Sequence, residues 1–179
     1  MNLLKESTPH CSQAYHRKSG QTLLVGITVL IFAALTAAAL TQGDDLKNSF
    51  AQKLADQIAQ AHPELHVIGI HLTPPNGADN VIVASNIREK VGKKSDEDDL
   101  KVLRTGKPIV ERPKDLSVAE YEVLLGLQDS SGKRIGTLAL AYKPGTAKSK
   151  ADALRRSEQI RDELKRQIPS EAKLFEAGE

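Results

Sequence analysis

With 25 Lys and Arg against 23 Asp and Glu in 179 residues, the chain is close to neutral, and its small excess sits near the start, where Lys5, Arg17 and Lys18 outnumber Glu6. A balanced remainder with no tryptophan and only 3% aromatic residues offers neither the basic face nor the stacking platforms of a nucleic-acid binder, so no nucleic-acid partner is expected. The single cysteine, Cys11, precedes everything else of note, which excludes a disulfide framework, a cysteine-based zinc set and a lipoprotein anchor further along.

Residues 19–43 carry no charge, and residues 21–41 drawn as a helix would span roughly 30 Å, the thickness of a bilayer's hydrocarbon core. Arg17 and Lys18 stand before this stretch, Asp44 and Asp45 after it. The positive-inside rule therefore keeps residues 1–18 in the cytoplasm and places the rest outside. Ala37-Ala38-Ala39 also fits a signal-peptidase site, so residues 19–43 are either a transmembrane anchor or a cleaved signal peptide that would release the protein. Residues 44–179 then form one extracytoplasmic domain with a core that must be aliphatic.

In that domain, Leu46, Phe50, Leu54 and Ile58 recur every fourth residue, which predicts a helix over residues 44–61 started by the paired aspartates and ended by Pro63. Residues 66–73 and 81–86 read as strands joined by a Pro74-Pro75-Asn76-Gly77 turn. A polar link leads to a short helix over residues 95–104, with Ser95 as its cap, acids in its first turn and Gly106 as its stop. A proline-bounded strand at residues 108–112 is expected at or near an edge. Residues 121–128 and 134–142 form the clearest hairpin, in which Tyr121, Val123, Leu125 and Leu127 share a face while Leu124 and Gly126 keep the other face apolar or small. A charged helix over residues 148–167 then offers Leu154, Ile160, Leu164 and Ile168 to the sheet before Pro169 stops it.

The order of helix, two strands, short helix, three strands and helix gives an antiparallel sheet with long helices at its two ends. Three stretches carry a family likeness: Asn76-Gly77 followed by residues 81–85, Val91-Gly92-Lys93 with the acidic residues 96–99, and residues 127–137 with the spacing Asp129-x-x-Gly132-x-x-x-Gly136. Through them residues 44–144 resemble the extracytoplasmic single Cache, or PAS-like, sensor domains of bacterial membrane receptors. The resemblance implies an α+β fold, a five-stranded antiparallel PAS/Cache-like sheet flanked by long N- and C-terminal helices and preceded by one transmembrane or signal helix. It also implies a domain facing the periplasm or the cell exterior from the bacterial inner membrane, sensing or binding a small organic ligand.

Receptors of this kind usually continue into a second span and a signalling domain, whereas this sequence ends at Glu179 after a soluble helix. The expectation is therefore signalling through a separate partner protein. The alternative is a ligand-free envelope module that docks a partner or forms a homodimer.

A ligand pocket is expected between the sheet and residues 86–106. Its candidate residues are His71, Thr73, Ser85, Asn86, Arg104, Arg112, Tyr121 and Tyr142, and the arginines would suit a carboxylate through bidentate pairing. The family varies its ligand residues, so none is carried over by motif. His62, His66 and His71 lack the spacing of a zinc set, and residues 96–99 lack the alternation and glycine of a calcium loop. With no nucleophile, base and acid in a usable pattern, neither a metal, a cofactor nor an enzymatic activity is expected.

Overall fold

Ser49 decides where the first long helix begins. The structure is a computed structural model that describes residues 45–178; the expected cytoplasmic segment and membrane or signal helix lie outside the described residues. Helix α1 (Phe50–Ala61) starts where the Ser49 side chain accepts a hydrogen bond from the Gln52 backbone N–H. The sequence draws one unbroken helix from the paired aspartates; residues 45–47 are helical, but the helix is interrupted at residues 48 and 49. Residues 48 and 49 are drawn out of the helix because Ser49 bridges to Ala177, Phe50 N–H donates to the Glu176 carbonyl at 2.7 Å and Gly178 N–H donates to the Asn48 carbonyl at 2.9 Å.

Strands β1 (Leu65–Leu72), β2 (Val81–Ser85), β3 (Ile109–Glu111), β4 (Tyr121–Gln128) and β5 (Arg134–Tyr142) form one antiparallel sheet in the order β2-β1-β5-β4-β3. A short 3-10 turn (Arg88–Lys90) and helix α2 (Glu97–Thr105) connect β2 to β3, and helix α3 (Lys150–Gln167) with a second 3-10 turn (Ala172–Phe175) follows β5. This is the α+β architecture expected, a five-stranded antiparallel sheet with long helices before and after it, and the β4–β5 hairpin is bounded as the alternation predicts.

Alternation divides the sheet into two unlike faces. Ile68, Ile70 and Leu72 of β1, Val123, Leu125 and Leu127 of β4, and Leu138, Leu140 and Tyr142 of β5 lie on one face and join Leu54 and Ile58 of α1 and Ile160 and Leu164 of α3 in the main core. Each such aliphatic side chain contributes about 1.5–3 kcal/mol on burial. Tyr142 ends its ring in a hydrogen bond to Ser157 Oγ at 3.0 Å, so the hydroxyl is not stranded in an apolar layer.

The opposite face is thinly covered. Among the described helices only α2 lies on it, over β4 and β5, with Val102 against Leu124, Ala139 and Ile109. Asp96, not Ser95, caps this helix: its carboxylate accepts from the N–H groups of Asp98 and Asp99, and Asp99 returns the bond to the Asp96 N–H. Both residues are good caps, and Ser95 is diverted to tertiary partners, His71 and Asn80. Thr137 Oγ1 donates to the Asp99 carbonyl at 2.9 Å, while Arg134 reaches the open carbonyls of Leu103 and Arg104 at 2.8 and 3.1 Å. Arg134 can lie there because Gly126 and Gly106 leave its path clear; a Cβ on Gly126 would stand 2.8 Å from Arg134 Cδ.

The outer edge of β2 is closed by the covering segment. Ile82 N–H donates to the Lys93 carbonyl at 2.9 Å and Gly92 N–H donates to the Ile82 carbonyl at 2.8 Å. The other edge strand, β3, is three residues long.

Candidate ligand-binding cavity

Where α2 stops short of β1, the thinly covered face holds a cavity of about 160 Å³, roofed by residues 90–99. Small residues make the room: Gly69 and Ala139 stand opposite one another in register on β1 and β5, and Leu124 continues this floor onto β4. The back wall is His71, Ile82 and Ser85; the front is Glu122, with Glu111 exposed at the mouth; Lys90, Lys94, Asp96, Asp98 and Asp99 close the roof.

His71 is 5% exposed, and its Nδ1 lies 2.9 Å from Ser95 Oγ and 3.1 Å from Asp99 Oδ2. Ser95 Oγ donates its own hydrogen to Asn80 Oδ1 at 2.6 Å, so it receives one from the imidazole, and this network puts the hydrogen on Nδ1. In the neutral ring Nε2 is then an acceptor. It sits over Gly69, 3.1 Å from where a Cβ would stand, and has no hydrogen-bond partner among the described residues.

The carboxylates are held in opposite senses. Burial alone would push Asp99 up, but the hydrogen bond and charge of His71, with the Asp96 N–H, hold it below the ordinary carboxylate range. Burial pushes Glu122 up; Lys90 offsets part of this, and Glu111, Asp99 and Asp96 add to it. Glu111 stands directly across the β3–β4 register from Glu122, a like-charge pairing that destabilises a sheet.

Several of the charges are already committed. Asp96 caps α2, Asp99 holds His71, Asp98 faces Lys101 at 4.0 Å and Lys94 pairs with Asp79 at 2.7 Å. Glu111, Glu122 and Lys90 have no side-chain hydrogen bond or ion pair among the described residues.

Of the residues singled out from sequence, the cavity brings together His71 and Ser85. Asn86 stands next to it but closes backbone: Oδ1 accepts from Ile68 N–H at 2.9 Å and Nδ2 donates to the His66 carbonyl at 3.0 Å. Thr73 is exposed beyond the end of β1, where it accepts from Asn80 Nδ2.

Arg104 is exposed and pairs with Glu97. Arg112 is also exposed; it pairs with Glu120 at 2.8 Å and covers the Tyr121 ring at 5.5 Å. Neither arginine borders the cavity. Tyr121 and Tyr142 are cross-strand partners on the other face of the sheet, within the main core.

Gly69, Lys90, Asp99, Glu111 and Glu122 line the cavity without being among the residues the sequence points to. For Glu122 a signal existed, since the apolar set Tyr121, Val123, Leu125 and Leu127 assigns Glu122 by parity to the opposite face, with Leu124 and Gly126. A larger open trough of about 430 Å³ lies along α3, but there Glu64 already holds Arg156 and His62, and Glu163 holds His62 again, so four of its charged or titratable side chains are paired with one another. Among the described residues no three of His, Cys, Asp and Glu come together in a way that would hold a metal ion.

No family model matches the chain, and no curated protein matches it. Several solved structures are similar. A type II free methionine-R-sulfoxide reductase from Thermoplasma acidophilum is 17% identical, over 64% of this chain and 86% of that one, with a TM-score of 0.41. The GAF domain of a two-component sensor histidine kinase from Bacillus halodurans is 14% identical over 65% and 91%, with a TM-score of 0.47. The sensor domain of E. coli DcuS is 17% identical over 66% and 77%, with a TM-score of 0.41. These likenesses assign no activity.

Proposed function

We propose that the chain is a membrane-anchored extracytoplasmic domain that senses or binds a small organic ligand and reports through a separate partner protein. The observation that carries the ligand reading is the cavity beside α2, where a buried histidine turns an unpartnered ring nitrogen over a glycine-and-alanine floor. The reporting step is supported by how the roof is tied down. Asp99 joins the cavity wall to the first turn of α2, so a ligand that moves His71 or Asp99 acts directly on that helix.

Anchoring and export are supported by the sequence alone, through the uncharged residues 19–43 with Arg17 and Lys18 before them and Asp44 and Asp45 after. A periplasm-dependent reporter fused after Glu179 should be active and a cytoplasm-dependent one silent. The reverse pattern overturns the export reading.

The ligand reading is tested by a thermal-shift screen of small metabolites on the full-length protein in detergent micelles, with Ala139→Leu as the filled-cavity variant. Binding only to the folded state raises the melting temperature. At least one compound should stabilise the parent and leave Ala139→Leu unmoved. A screen in which no compound separates the two favours the ligand-free interaction module.

A further inference from the structure

We propose that this cavity is built for a small ligand carrying a protonated amino group, received by Glu122 and Glu111 at the front and by His71 Nε2 at the back. The inference rests on the reading of the cavity as a ligand site and supplies the chemical class that the site would take.

Once the internal pairs are counted, three acceptors remain on the front and back walls, beside the single hydroxyl of Ser85, whose Oγ already accepts from Ile87 N–H. Glu122 and Glu111 are carboxylates without a side-chain hydrogen bond or ion pair among the described residues, and in the neutral ring of His71 Nε2 accepts, since Nδ1 carries the hydrogen that Ser95 and Asp99 share. A ligand completing them has to donate. Of the donors in the roof, Lys94 is engaged with Asp79, which leaves Lys90.

Charge points the same way. An anion entering here would face Glu111 and Glu122 at the mouth and Asp96 and Asp99 above, whereas a cation placed between Glu111 and Glu122 relieves their repulsion across the register. The upward push on the Glu122 carboxyl marks a site where negative charge is under-compensated before any ligand arrives.

The buried histidine keeps this from being a surface cluster of acids, since an imidazole 5% exposed turns Nε2 over the Gly69 floor, within reach of a donor that enters the cavity. Size limits the ligand to roughly six heavy atoms, because a cavity of about 150 Å³ admits benzene and this one measures about 160 Å³. Arg104 and Arg112, which would have suited a carboxylate, are outside the cavity with carboxylate partners of their own.

The test uses four probes on the full-length protein: n-butylamine, ethanolamine, alanine and butyrate, read by thermal shift and then by calorimetric titration. The amino-bearing probes should stabilise the parent and butyrate should not. Glu122→Gln should weaken the best amine about ten- to a hundred-fold, while Glu97→Gln, on the far side of α2, should leave it unchanged. The melting temperature of unliganded Glu122→Gln reports whether it folds. If it does not, Ala139→Leu takes its place and should abolish the amine effect.

Stabilisation by butyrate alone overturns the amine assignment and leaves the cavity reading standing. Stabilisation by amines that persists equally in Glu122→Gln and Ala139→Leu places them elsewhere on the protein and also overturns it. If none of the four probes binds, the amine assignment falls, and the wider metabolite screen against Ala139→Leu then decides the cavity reading separately.

Discussion

Nδ1 of His71 lies 3.1 Å from Oδ2 of Asp99, with both side chains 7% exposed, so the C-terminal end of β1 is tied to the first turn of α2 through the wall of the cavity. The Asp99 carboxyl is held below its ordinary range, which means the folded protein binds its proton less readily than the unfolded chain does. Stability from this pair is therefore present above the unfolded value of about 3.9 and is lost as pH falls through the lower folded value. Asp99→Asn should cost about 1–3 kcal/mol at neutral pH, and its unfolding free energy should fall less steeply than the parent's below pH 4. Denaturant titrations across the acid range check this; parallel acid limbs would show that Asp99 is not the group responsible.

Glu122 behaves in the opposite sense. Its carboxyl is pushed up by burial, eased by Lys90 and raised further by Glu111, Asp99 and Asp96. The groups facing the same space are Asp98 from α2, His71 from β1, and Lys94 from the covering segment. A raised folded value means the stabilising contribution is full below the unfolded value of about 4.3 and is lost as pH rises through the folded one. Glu122→Gln should therefore match the parent near pH 4 and melt at a higher temperature than the parent at pH 7. A variant less stable than the parent at pH 7 would mean that the carboxylate has a stabilising partner.

These two acids also mark where the sequence stops being legible. The β4–β5 hairpin is read correctly because its information is local: alternation on each strand and the Asp129-Ser130-Ser131-Gly132 turn between them. The acidic run at residues 96–99 carries two meanings at once. Its helix-start role is local and visible, although the cap falls on Asp96 because Ser95 is taken by His71 and Asn80. The role of Asp99 as a cavity wall depends on a contact with β1, 28 positions earlier, and no local pattern encodes it.

The sequence offers Tyr121 and Tyr142 of the central hairpin as pocket residues, yet strand parity puts them with the main-core residues. Arg104 and Arg112 follow the ordinary behaviour of exposed arginines, each meeting a nearby carboxylate.

Gln52 is a second long-range device that no periodicity reveals. It occupies a buried position on α1, 1% exposed, where its amide donates to the Ser85 carbonyl at 2.9 Å and accepts from the Ser85 N–H at 3.1 Å, completing the backbone at the end of β2. Gln52→Ala leaves both Ser85 groups buried without a partner. A loss of about 2–4 kcal/mol is expected, measurable as a shifted denaturation midpoint at unchanged slope. A loss below 0.5 kcal/mol would mean that water replaces the amide.

The last prediction concerns Gly126 and Arg134, whose relationship should reverse the sign of one substitution. A Cβ on Gly126 would stand 2.8 Å from Arg134 Cδ, so Gly126→Ala displaces the arginine from the carbonyls of Leu103 and Arg104 at the end of α2. Two charge-assisted bonds at a partly exposed helix end are lost, and a cost of about 1–2 kcal/mol is expected. In a strand, alanine is otherwise better than glycine by about 0.5–1 kcal/mol, because glycine gives up more backbone freedom on folding. Once Arg134→Ala has removed the arginine, Gly126→Ala has nothing to displace and should be neutral or stabilising. The double-mutant cycle from urea denaturation should therefore give a coupling of about 1–2 kcal/mol, well above the few tenths found for independent sites. Additive effects would show that Gly126 is not there to clear the arginine's path and that α2 is held against the sheet by Thr137 and Val102 without it.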